Sequence, residues 1–116
     1  MKGKRISSEA ENASEEKEQK MPDMQVNLEI PIQYEREEIS YVDMRGLLDM
    51  TLYDKDRIDR EMRHEDPEWD NEVTERYAAL VAAHLNHKPW EWLNGMSVRD
   101  AIRLRTMVYT FFFVKV

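Results

Sequence analysis

The chain has 116 residues, 41% of them hydrophobic and 35% charged, with a net charge of −7 and no cysteine. That length holds one small domain and excludes a two-domain nucleotide enzyme or a barrel enzyme, which need roughly 200 residues or more. The acidic balance repels phosphate and argues against nucleic acid as a partner; the lack of cysteine removes disulfides, thiolate zinc sites and cysteine nucleophiles, and suits a reducing cytoplasm.

Residues 1–20 carry one aliphatic side chain beyond the initiator, Ile6, and no aromatic, while five basic and five acidic residues cancel. Such a stretch buries too little apolar area to offset its ordering entropy, so a disordered tail is expected. No apolar run follows its basic residues, as a secretory signal would require. The remaining residues, 21–116, are expected to form one α+β domain.

From Val26 the pattern becomes period two. Val26, Leu28, Ile30 and Ile32 alternate with polar residues and Pro31, which predicts a strand with one wet face. Ile39, Tyr41, Val42 and Met44 predict a second strand, with a bulge where the alternation breaks between Tyr41 and Val42. Together they read as an antiparallel β-hairpin over 25–45. The link between them lacks Asn-Gly or Asp-Gly, which predicts a longer loop rather than a tight turn.

About three helices follow. Asp54 is a candidate cap for a thin-striped surface helix over 54–65, stopped by Asp66-Pro67. Val73, Tyr77, Leu80, Val81, His84 and Leu85 mark one face of a helix over 70–87, capped by Asp70 or Asn71. Ser97 and Asp100 have capping-box spacing at the start of a last helix over 98–113. The spacing predicts Leu80, Val81, Ile102 and Val108 buried against Leu28 and Ile30 of the hairpin.

The last helix is apolar on nearly every side beyond Thr106, ending in Tyr109, Phe111, Phe112 and Phe113. Three successive rings lie about 100° apart, so one small core cannot cover them all, and at least one should face a partner or a second copy of the chain. The run is too short for a membrane span, and arginines interrupt it. Trp90 and Trp92 alternate in the connector before this helix, so one is expected buried and one exposed. The candidate partner-binding residues are therefore Trp90, Trp92, Tyr109, Phe111, Phe112 and Phe113.

Catalytic chemistry finds little support. Three glycines cannot build a phosphate loop. His84 and His87, with His64, offer a metal site only by spacing, and no carboxylate pair stands out from the solvated helix faces. No enzyme, cofactor or metal is expected.

Two stretches carry a resemblance. One is VNLEIPIQYEREEISYVDMR, an alternating strand with a proline, a charged link and a second strand ending in arginine. The other is AALVAAHLNHKPWEWLNGMSVRDAIRLRTMVYTFF, a small-residue helix, a short turn closing in leucine, and a Met-Ser-x-x-Asp helix start. Over roughly residues 26–113 the chain resembles the small tail assembly chaperones of contractile-tailed, Mu-like bacteriophages. Arg45, Leu93 and Asp100 match the basic, leucine and aspartate positions of that pattern. Between Thr51 and Asn71 this chain is longer and more charged than the pattern. The resemblance implies a non-enzymatic protein of the host cytoplasm. Such a protein binds the tape measure protein, and in some cases the tail tube protein, and keeps the tape measure soluble during tube assembly. The alternative is a small regulatory adaptor that binds one folded partner.

Overall fold

The computed structural model describes residues 24–114. The tail expected over residues 1–20 lies outside the described residues. The fold is α+β, as the patterning predicts. Strands β1 (Gln25–Tyr34) and β2 (Glu37–Asp43) form an antiparallel hairpin. A 3-10 turn (Arg45–Asp49) leads to helices α1 (Leu52–Glu65), α2 (Glu75–Leu85) and α3 (Val98–Phe113).

The hairpin differs from expectation in two ways. Its strands meet in a two-residue turn, Glu35-Arg36, with Tyr34 paired to Glu37. Glu35 takes the left-handed conformation (φ 55°) that such turns require and that glycine or asparagine usually supplies. The bulge lies in β1, not at Tyr41-Val42. Asn27 pairs with Tyr41 and Ile32 with Ile39, so four β1 residues, 28–31, stand opposite Ser40 alone. Pro31 has no N–H to give the ladder, and the N–H groups of Glu29 and Ile30 bond elsewhere, as described below. The bulge breaks the period of two. Val26, Leu28 and Ile32 stay inward, while Ile30 is turned out to 60% exposure, contrary to its expected place in the core.

The helices also begin elsewhere than predicted. Thr51, not Asp54, caps α1. Its hydroxyl accepts from the Asp54 N–H, and the Asp54 carboxylate accepts from the Thr51 N–H, which forms a complete capping box. Helix α2 starts at Glu75 under a Thr74 cap rather than at 70. Asn71 is left-handed (φ 72°), and the Trp69 indole donates to the Glu72 carbonyl, so residues 70–74 fold back as a loop. Trp69 then stacks on Tyr77 with ring centroids 5.0 Å apart.

Helix α2 is the centre of the core. Residues 77–83 are all buried, alanines included, which makes it a helix covered on every side and not a one-faced one. The small side chains of Ala78, Ala79, Ala82 and Ala83 let α1 and α3 approach closely. Ile58 and Met62 come from α1, Leu104 and Val108 from α3, and Val26, Leu28, Ile32, Ile39 and Val42 from the hairpin. Leu80, Val81 and Val108 are buried as predicted; Ile102 is not, at 39% exposure. Gly46 sits where an added Cβ would come within 3.1 Å of the Leu85 side chain, so its small size lets the 3-10 turn approach the end of α2. The Asn86 side-chain amide ties that end to the hairpin by donating to the Asp43 carbonyl.

Candidate functional site

Helix α3 carries most of the candidate residues, and its orientation is set at its first turn. Ser97 caps it by accepting from the Asp100 N–H. The Asp100 carboxylate does not close the capping box. It is fully buried and accepts from the Glu29 N–H at 3.0 Å and the Ile30 N–H at 3.2 Å. Those are the donors that the bulge frees from the ladder. Arg103 donates to the same carboxylate at 2.6 Å and to the Asn27 carbonyl at 2.7 Å. Burial alone would push the Asp100 carboxyl up. The two strand N–H groups, Ser97 and the Arg103 charge outweigh it and hold the group ionised, below its ordinary value. One buried carboxylate thus clamps α3 to β1.

From that clamp, α3 presents two apolar stripes. Leu104 and Val108 are buried, with Ala101 and Phe112 half-buried beside them. Phe112 meets Tyr77 edge to face at 6.5 Å. The other stripe faces out: Val98 (72% exposed), Ile102, Tyr109 (51%) and Phe113 (60%), with Thr106 among them. At 3.6 residues per turn these positions fall within about 80° of one another and extend roughly 22 Å along the helix. The rings of Tyr109 and Phe113 lie 5.2 Å apart. Beside them runs an open groove of about 600 Å³ between α3 and the 71–73 loop, lined by Val73, Arg105, Tyr109 and Phe113 among others. Phe111 (40% exposed) lies on a different side of α3.

The aromatic residues singled out in the sequence therefore separate. Tyr109 and Phe113 join the outer stripe, Phe112 is an anchor of α3 on α2, and Phe111 stands apart. Trp90 is half-buried at the other end of α2, parallel to His84 at 6.4 Å. Tyr77 and His84 are seven residues apart on α2, roughly 10 Å, so the tryptophans do not share the phenylalanine surface. Trp92 is corrected from its place on that surface: its ring is buried and belongs to the core, with Lys88 over it at 5.8 Å. Ile102 and Val98 were missed. Their signal was the 4, 4, 3, 4 spacing of residues 98, 102, 106, 109 and 113, a second stripe beside the core one.

Several other polar groups pair within the fold. His84 is held by Asp54 at 2.9 Å. Hydrogen bonds from the Thr51 backbone and from His84 hold the Asp54 carboxyl down at about 2. The Tyr77 hydroxyl donates to Asp59 at 2.6 Å, and burial followed by the Asp59 charge pushes its pKa far up. Among the described residues no group of three or more histidine or acidic side chains converges as a metal site, and no helix is long and apolar enough to cross a membrane. The three positions that carry the resemblance take different places. Arg45 is exposed and paired with Asp43 at 2.8 Å, Leu93 is in the core, and Asp100 is the clamp.

No known protein family, curated protein or solved structure matches the chain.

Proposed function

We propose that this protein is a non-enzymatic assembly chaperone of the host cytoplasm, and that the outer face of α3 with its adjoining groove takes an apolar helical segment of a phage tape measure protein. The observation that carries the reading is the exposed stripe Val98, Ile102, Tyr109 and Phe113 on a helix whose neighbouring stripe, Leu104 and Val108, is already anchored in the core. A stripe with helical spacing fits another helix better than it fits a strand or a small molecule. A tape measure is a long apolar helical chain that must stay soluble until tube subunits surround it. A domain of net charge −7 with one apolar face can cover such segments and keep the complex in solution.

Co-expression with a tape measure protein tests the reading. The wild-type chain should raise its soluble fraction and co-purify with it. Tyr109→Ser with Phe113→Ser should abolish both effects while leaving the thermal unfolding midpoint within a few degrees. Equal co-purification by the double variant would remove the α3 face from the function. Capture of a folded, non-helical partner instead would favour the adaptor reading.

A further inference from the structure

The outer stripe of α3 has an internal symmetry. Val98 and Phe113 are equidistant from a point between Arg105 and Thr106, and so are Ile102 and Tyr109. In an antiparallel pair of α3 helices related by a two-fold axis at that point, Val98 faces the second copy's Phe113 and Ile102 faces its Tyr109. Each large ring then meets a smaller aliphatic, as an isologous interface and good interdigitation require. A parallel pair would instead set ring against ring and arginine against arginine.

Charge favours the same arrangement. The last turn of α3 holds no basic residue to balance its free carbonyls, while Arg99 and Arg103 flank the stripe at the other end. Arg99 is 81% exposed, its only recorded ion partner among the described residues being Glu29 at 3.3 Å. Antiparallel pairing brings it to the negative pole of the second helix. Arg105, which would lie near its own copy at the axis, is neutralised by Glu75 at 3.4 Å.

The apolar stripe offers roughly 300–400 Å² per copy, given its exposure and about 150–250 Å² for a whole aromatic ring. With the arginine stems alongside, the pair buries on the order of 1,000 Å², the lower bound for a specific interface. We propose that this face closes on a second copy of the chain as a weak antiparallel α3 dimer. The proposal rests on the α3 face being the binding surface, and it means that a client must displace the second copy.

Sedimentation of the isolated protein across about 1–300 µM tests it without any client. The expected result is a shift from 14.0 kDa to twice that mass. Ile102→Glu should abolish the shift with an unchanged circular dichroism spectrum. The chain has no cysteine, so a single introduced one reports alone. Thr106→Cys, next to the axis, should cross-link to its copy with a short bismaleimide, and Leu52→Cys on α1 should not. A monomer at every concentration overturns the proposal, even if that monomer captures the tape measure protein. A dimer that survives Ile102→Glu, or that cross-links as well through Leu52→Cys, overturns it by placing the interface elsewhere. A dimer that behaves as expected but captures no client supports it and leaves the proposed function to fail by itself.

Discussion

Replacing Asp100 with alanine should strip α3 of its clamp on the hairpin. The carboxylate is fully buried and accepts from two strand N–H groups and one guanidinium. Without it, the Glu29 and Ile30 donors have no other acceptor in the bulge, at about 1–3 kcal/mol each when water cannot reach them. The Arg103 pair adds less, because Arg103 is 42% exposed and can turn to solvent. The sum is a loss of about 2–6 kcal/mol from a domain whose whole stability is expected to be about 5–15 kcal/mol. Asp100→Asn keeps the shape and one acceptor but sets an amide donor against an N–H, so about half the loss is expected. Urea unfolding followed by far-ultraviolet circular dichroism at pH 7 measures both. Hydrogen exchange at the Glu29 and Ile30 amides gives the local readout, and protection there should fall before that of α2. A loss below 0.5 kcal/mol for Asp100→Ala, with unchanged protection at those two amides, would show that the bulge is held by something other than this carboxylate.

The two stripes of α3 should respond oppositely. Leu104→Ala should cost about 2–5 kcal/mol because Leu104 is fully buried, whereas Ile102→Ala should cost under about 1 kcal/mol; similar losses in urea unfolding would mean that the faces are misassigned. Acid should destabilise the fold between about pH 4 and pH 2. Asp43 and Asp54 are held at about 2 by hydrogen bonds from Arg45 and from Thr51 with His84, and Asp100 is also lowered. Depressed carboxyls stabilise above their unfolded value of 3.8 and lose that contribution as pH falls through the folded value. Thermal melts from pH 7 to 2 should show a shallower fall for Asp54→Asn, and an unchanged slope would discount these contacts. Glu35→Gly should raise stability by up to about 1 kcal/mol, since glycine accepts φ 55° without strain; a lower melting temperature would mean that the Glu35 side chain matters more than its backbone.

Much of the architecture was legible because its signals are local. The span of α3 from Val98 to Phe113 follows from the Ser97 cap and from apolar residues that recur at helical spacing up to Phe113, and the two strands follow from their alternation. The start of α2 was not legible. Residues 70–73 continue a helical pattern, but the Trp69–Tyr77 stack and the left-handed Asn71 pull them into a loop. The tight turn at Glu35 was hidden for a related reason. Its residues are poor turn formers alone, and the cross-strand pairs Ile32–Ile39 and Val26–Val42 impose it.

By itself the sequence determined the α+β class, the element order, the surplus of apolar side chains on the last helix and the exclusion of cysteine chemistry. These depend on composition and on periods of two and 3.6 residues, which each segment carries independently of the others. Only the tertiary structure decided which apolar residues are surplus. Asp100 and the bulge at residues 28–31 are 70 and 71 residues apart where they meet, and that meeting turns Ile30 outward and fixes the rotation of α3. Once the rotation is fixed, Leu104 and Val108 enter the core and Ile102, Tyr109 and Phe113 face out. No local pattern distinguishes the two stripes, because both are apolar at helical spacing and the choice depends on a hydrogen bond to a distant strand.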